Sequence, residues 1–182
     1  MVVSTTSYER LALEDPDGTW ELYDGVPVSK PLMTTEHNIA FRLLGAALLS
    51  RLDPRVWHVS INSARVHTTS GDHFVPDLTV LPMRLVHDLL ARPGTFEVYG
   101  DPLPLIVEVW SPLTGNYDIE TKLAEYQHRG DLEIWRIHPY ERSVTRWVRE
   151  PNGSYAETFH QGGTVALTAL PGVRVDLDAL FP

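Results

Sequence analysis

Residues 105–129 of the sequence read LIVEVWSPLTGNYDIETKLAEYQHR, and the other expected elements can be arranged around this stretch. Its first half is a nearly unbroken apolar run between Pro104 and Pro112, a pattern typical of a buried strand. Glu108 interrupts this run. A carboxylate that is removed from water without a partner costs several kcal/mol or shifts its pKa. We therefore expect a compensating group near Glu108.

A candidate for that group is Lys122, which follows on a predicted helix. It lies between the apolar positions Ile119, Leu123 and Tyr126, so the pattern turns it toward the sheet. Lys122 could pair with Glu108 or belong to the same reaction centre.

Length and composition favour one globular domain. We expect a lead-in segment at 1–19 and a domain at 20–182. The chain has no cysteine, no N-terminal signal pattern and no apolar run of about 20 residues, so we expect a cytoplasmic protein without thiolate metal sites. The net charge is -9, whereas a protein that binds phosphates through a broad basic surface is usually positively charged. Contact with nucleic acid would have to come from a local site.

The remaining pattern predicts an α/β or α+β domain with a mixed sheet flanked by helices. Asp24-Gly25 is typical of a hairpin turn, and Thr34 or Thr35 can cap a helix that ends near Leu52. Gly130 is a natural stop for the helix that carries Lys122. The other predicted elements are a helix at 8–13, strands at 20–23, 26–28, 57–61, 64–67, 74–81, 105–110, 132–137 and 144–148, a short helix at 84–91, a loop with one short strand at 95–104, and a strand pair formed by 155–159 and 173–175.

Three polar residues occupy positions where the local pattern favours apolar ones: Asp77, Glu108 and Lys122. If their strands are neighbours, the two carboxylates can converge at one edge of the sheet. Mg²⁺ prefers such oxygen ligands, and a nearby lysine could orient or deprotonate a water or stabilise phosphoryl charge. The pattern leaves a structural alternative open, because an Asp after Pro is often a turn residue, a strand Glu often faces solvent and a helix Lys often reaches water.

Several segments together resemble the Uma2 family, also called DUF820, a group of restriction-endonuclease-like proteins in the PD-(D/E)XK nuclease superfamily. The resemblance extends from about Trp20 to Phe181. The segments that carry it are Glu21-Leu22-Tyr23-Asp24-Gly25, Thr35-Glu36-His37, Val75-Pro76-Asp77-Leu78, Val107-Glu108-Val109-Trp110-Ser111-Pro112, Asp118 to Lys122 with Tyr126, Glu133-Ile134-Trp135, and Leu170-Pro171-Gly172 to Phe181.

This resemblance implies a role for each matching residue. Asp77 matches the Asp of the PD motif and Glu108 the acidic residue of the (D/E)XK motif, so both would be metal ligands. Trp110 stands where the superfamily has its lysine. In the Uma2 family that lysine is on the following helix, where Lys122 matches it, with Tyr126 one turn later.

Glu21 and His37 are accessory candidates. Glu21 could be a third acidic ligand or support one, but a surface strand Glu is an equal alternative. His37 could touch a phosphate or a metal-bound water, although a capping or packing role is favoured. No H-E-x-x-H, G-x-S-x-G or phosphate-loop motif occurs in the sequence, which argues against zinc hydrolases, serine hydrolases and nucleotide-binding proteins.

These observations lead to three hypotheses. The first is an endonuclease that hydrolyses DNA with Mg²⁺, for which Mn²⁺ could substitute, and that binds DNA weakly with the metal's support. The second is an inactive interaction or scaffold protein that keeps the fold, and we expect a homodimer. The third is a metal-dependent hydrolase of another phosphate ester. None of them involves a membrane.

Overall fold

The computed structural model describes residues 2–15, 18–31, 33–92, 94–114, 117 and 121–182. Four helices and a 3-10 turn lie in these ranges: α1 (Thr5–Glu14), α2 (Thr35–Leu49), α3 (Met83–His87), α4 (Leu123–Arg129) and the turn Asp178–Leu180. The strands are β1 (Trp20–Tyr23), β2 (Val26–Ser29), β3 (Trp57–Ile61), β4 (Arg65–His67), β5 (His73–Phe74), β6 (Leu78–Pro82), β7 (Val98–Tyr99), β8 (Leu105–Val109), β9 (Glu133–His138), β10 (Ser143–Arg149), β11 (Tyr155–His160), β12 (Thr164–Ala166) and β13 (Arg174–Asp176).

The strands form two larger sheets and one small pair. The first sheet has the order β2-β1-β5-β4-β7, the second has the order β11-β10-β9-β8-β6-β3, and β12 pairs with β13. Both larger sheets are mixed, because β4 and β7 are parallel in the first and β8 and β9 are parallel in the second. The predicted mixed sheet is therefore confirmed, and a second mixed sheet accompanies it.

The central strand β8 is buried along its whole length. Leu105, Val107 and Val109 belong to the core cluster that also contains apolar residues of α2, whereas Ile106 belongs to the cluster that contains Tyr126 of α4. Side chains alternate between the two faces of a strand. Glu108 therefore lies on the face of the sheet that α4 covers.

The predicted hairpin, the α2 cap and the stop after α4 are confirmed. Asp24 and Gly25 have φ angles of 47° and 71° between β1 and β2, as a primed turn requires. The Thr34 side chain accepts a hydrogen bond from the backbone N–H of His37, and Gly130 has a φ of 83°. The helix α2 ends at Leu49 rather than near Leu52.

The single predicted strand at 74–81 is wrong. The chain enters the first sheet as β5 and, after residues 75–77, enters the second sheet as β6. Pro76 has no N–H for a ladder, and Val75 donates its N–H to the Glu21 side chain instead of to a backbone carbonyl of a neighbouring strand. The connection thus places Asp77 where the two sheets meet.

The predicted pairing of 155–159 with 173–175 is also wrong. Strand β11 pairs with β10, and β13 pairs with β12. The predicted first helix is confirmed as α1, whose Tyr8 and Ala12 pack against Leu22, while the boundary after residue 19 stays a prediction. Asp118 and Ile119 lie outside the described residues. In the part of the chain that is described, no helix is long and apolar enough to cross a membrane.

Candidate active site

Asp77 lies at the meeting point of three elements, just before β6. Its Oδ1 accepts a hydrogen bond from Lys30 Nζ at 2.6 Å. Its Oδ2 lies 2.9 Å from His37 Nε2 and accepts a hydrogen bond from the backbone N–H of Val109 at 2.7 Å. Asp77 is therefore held by the segment after β2, by α2 and by β8.

The environment of Asp77 favours its ionised form. Burial alone would raise the pKa of this carboxyl, but the Lys30 charge and the contacts with His37 outweigh it and hold the pKa well below its usual range. An ionised carboxylate only accepts hydrogen bonds, so His37 Nε2 donates to it. His37 thus contacts a candidate metal ligand directly, in addition to its place at the start of α2.

Glu108 projects from β8 toward α4, as the strand pattern requires. Its Oε1 accepts a hydrogen bond from the Tyr126 hydroxyl at 2.6 Å and lies 3.3 Å from Lys122 Nζ. Glu108 is only 4% exposed and Lys122 only 2%. The expectation of a compensating group is confirmed, and the alternative of a solvated lysine is wrong.

Glu21 links the first sheet to this group. Its Oε1 lies 2.8 Å from Lys122 Nζ and accepts a hydrogen bond from the backbone N–H of Val75, also at 2.8 Å. Glu21 is 2% exposed, so the alternative of a surface strand Glu is wrong. The Lys122 ammonium also lies 5.4 Å from the centre of the Tyr117 ring, a distance that allows a cation–π interaction.

A cavity of about 270 Å³ is lined by the candidate site residues Glu21, Asp77, Glu108 and Lys122. The charged residues that line it come from both sheets and from the region of α4. They are Glu21, Lys30, Asp77, Glu108 and Lys122, and the apolar part of the wall includes Val28, Pro31, Met33 and Leu113. The structure therefore brings Asp77, Glu108, Lys122 and Glu21 to one cavity, with His37 and Tyr126 behind it.

Lys30 belongs to this site, and the sequence pattern did not single it out. Its ammonium donates to Asn62 Oδ1 at 2.8 Å, to the Val75 carbonyl at 2.9 Å and to Asp77. One signal in the sequence could have found it: of the 15 lysines and arginines, only Lys30 and Lys122 are lysines. Both lysines of the chain line the same cavity.

The donor chemistry of the cavity suits a hard divalent cation, because three carboxylates face the same space. Two ammonium groups accompany them, so the local charge is less negative than the carboxylates alone would make it. Within the described ranges, no three His, Cys, Asp or Glu side chains are placed to hold a metal together. The lysines hold the carboxylates in this arrangement.

Trp110, at the position where the resemblance led us to look for a lysine, is not among the residues that line the cavity. Its ring stacks on His138 with a centroid distance of 4.3 Å and an interplanar angle of 20°. These two residues follow Val109 and Ile137, which are paired on the parallel strands β8 and β9. Trp110 thus makes an aromatic contact next to the ends of β8 and β9.

Comparison with known proteins agrees with this architecture. The model of the Uma2 family, described as "Putative restriction endonuclease", matches residues 5–178. A search of curated proteins found none that matches. One similar solved structure is that of "a putative nuclease belonging to DUF820" from Anabaena variabilis, with 16% identity, a TM-score of 0.72 and 89% of each chain covered. At this identity the likeness concerns the fold, and the predicted fold class is confirmed.

Proposed function

The chain belongs to the Uma2 family, and from this premise and the cavity we propose that it is an endonuclease that hydrolyses DNA phosphodiester bonds with Mg²⁺, or with Mn²⁺ in its place. The observation that carries the proposal is the set of three buried carboxylates and two lysines around one cavity. Burying so many charged groups is costly for a purely structural role. Such clusters are typical of functional sites.

Asp77 and Glu108 would hold the cation. When bound, the cation would lower the pKa of an attacking water and neutralise charge on the phosphoryl group. His37 and the Val109 N–H orient the Asp77 carboxylate through their contacts with Oδ2. Tyr126 fixes Glu108 in the same manner.

Lys122 would act on the water or on the phosphate. Its ammonium is held between Glu21 and Glu108 at 2.8 Å and 3.3 Å, at the wall of the cavity. From there it can donate a hydrogen bond to a nucleophilic water or to a phosphoryl oxygen in the transition state. Glu21 then has a positioning role, because it keeps the ammonium in the cavity.

The net charge of -9 makes tight binding of DNA without a cation unfavourable. We expect weak binding that a divalent cation strengthens. A homodimer and a cytoplasmic location stay predictions.

The test is cleavage of supercoiled plasmid, duplex and single-stranded oligonucleotides, with RNA for comparison, in Mg²⁺ or Mn²⁺. We expect metal-dependent cleavage of DNA that falls by about a hundredfold or more in Asp77→Asn, Glu108→Gln and Lys122→Met. The control is Asp88→Asn, which alters an exposed carboxylate and should cut like the wild type. Equal cleavage in all variants, or no cleavage with either metal, would contradict the proposal.

A further inference from the structure

Lys30 makes contacts that a small cation would also make. Its ammonium touches a carboxylate oxygen, a side-chain amide oxygen and a backbone carbonyl oxygen, from Asp77, Asn62 and Val75, at 2.6 to 2.9 Å. An ammonium has three N–H donors, and here each has one acceptor. Carboxylate, amide and backbone oxygens are also the ligand types of hard divalent cations.

Lys30 is enclosed, so this arrangement is part of the folded site and not a surface contact. Its side chain is 8% exposed, and that of Asp77 is 2% exposed. The backbone at Lys30 and just before it is anchored to the neighbouring chain segment. Lys30 donates its backbone N–H to the Thr19 carbonyl at 2.8 Å, and Ser29 before it pairs with Trp20 of β1.

We propose that the Lys30 ammonium occupies the position of a divalent cation on Asp77, so that the metal binds only when this ammonium moves away. The inference rests on the proposed function, because it concerns the cation of that site. A divalent ion would approach a carboxylate oxygen to about 2.1 Å. Two cations on Asp77 Oδ1 would repel each other strongly in such a buried place.

Lys122 differs from Lys30 in its partners. It is paired with Glu21 and Glu108, and its contact with Glu108 is 3.3 Å, which is longer than the 2.6 Å between Lys30 and Asp77. Lys30 therefore holds the carboxylate of the PD motif, whereas Lys122 lies between the other two carboxylates. Metal binding should displace Lys30 and leave Lys122 in the cavity.

The first test measures Mn²⁺ binding without DNA, by titration calorimetry and by the loss of the free-ion electron paramagnetic resonance signal. Lys30→Met should bind Mn²⁺ at least about tenfold more tightly than the wild type, because a like charge a few ångströms away is gone. Lys30→Arg keeps the charge and should not gain affinity. Lys30→Met combined with Asp77→Asn should lose the gain, which identifies the site.

The second test observes the lysine directly. With ¹⁵N-labelled lysine, the folded chain has only two side-chain ammonium signals, which Lys30→Met assigns. Mg²⁺ should shift the Lys30 signal and speed its exchange with water, and should change the Lys122 signal less. This measurement uses the wild-type chain, and Lys30→Arg assigns the same signal if Lys30→Met unfolds.

The outcomes separate this inference from the nuclease proposal. Tighter Mn²⁺ binding in Lys30→Met without cleavage in any variant would support the inference and contradict the nuclease. The opposite outcome is DNA cleavage by the wild type, unchanged Mn²⁺ affinity in Lys30→Met and an unmoved Lys30 signal. It would support the nuclease and contradict the inference. Absence of Asp77-dependent Mn²⁺ binding in both the wild type and Lys30→Met would overturn the inference.

Discussion

Replacing Tyr126 by Phe should destabilise the protein by about 1.5 to 3 kcal/mol, the range for a hydrogen bond to a charged group. The Tyr126 hydroxyl donates to Glu108 Oε1 at 2.6 Å, and the side chain is 0% exposed. Phe keeps the ring, whose edge-on contact with Phe74 has a centroid distance of 6.0 Å. The substitution therefore removes one buried donor and little packing.

Tyr155→Phe, which removes a partly buried hydroxyl, is the comparison for this prediction. The Tyr155 hydroxyl also donates over 2.6 Å, but to the backbone carbonyl of Asp131. A hydrogen bond to a neutral acceptor contributes only about 0.5 to 1.5 kcal/mol. Tyr126→Phe should thus lower the free energy of unfolding by about 1 kcal/mol more than Tyr155→Phe does.

Urea unfolding at pH 7, followed by tryptophan fluorescence, gives both values when the two variants share one m-value. Tyr126→Phe should also slow cleavage, because the Glu108 carboxylate loses a fixed orientation. A cost for Tyr126→Phe equal to or below that of Tyr155→Phe would refute the idea that Glu108 is stabilised by a charge-assisted bond.

Two further predictions concern buried ionisable side chains outside the cavity. Arg129→Met should lower the free energy of unfolding, measured in urea, by about 3 to 5 kcal/mol. It leaves the buried Asp131 without its ion pair at 3.0 Å and removes donors from the carbonyls of Tyr99 and Asp101. A decrease below about 1 kcal/mol would contradict this prediction. Burial, with the His67 charge nearby, lowers the pKa of His73 to about 4. The unfolded residue titrates at about pH 6.5. The free energy of unfolding should therefore fall by about 1 to 3 kcal/mol as the pH drops from about 6.5 to 4. The free energy of unfolding of His73→Gln should depend less steeply on pH in this range than that of the wild type. An equal dependence would exclude His73 as the cause of the loss of stability.

Much of the site could be predicted because its polar residues break apolar patterns. Glu108 and Lys122 each interrupt a buried face, and burial forces such groups to find partners. Lys30 breaks no pattern, since it follows a strand and precedes Pro31, and Asp77 is far away in the sequence. Its role depends on a tertiary contact that local periodicity does not contain.

The errors in the fold have a similar origin. The run from Phe74 to Leu81 is mostly apolar, as one buried strand would be, and only Pro76-Asp77 indicates the break between β5 and β6. In the tail, apolar patterns identified strands near 155–159 and 173–175, but strand pairing depends on which neighbour is available. Strand β11 follows β10 after a short turn and pairs with it, and β13 pairs with β12, the strand just before it in the chain. In both pairs the strands are neighbours in sequence.

The pairing of Glu21 with Lys122 determines when, during synthesis and folding, the candidate site is complete. The two residues are separated by roughly a hundred positions, yet their charged atoms lie 2.8 Å apart. A contact between such distant segments requires a long loop to close, and this entropic cost precedes the gain from the contact. During synthesis the hairpin and Asp77 leave the ribosome before α4 exists. A growing chain therefore carries the carboxylates without the Lys122 ammonium, and the candidate site is complete only after the segment that bears Lys122 has emerged and packed.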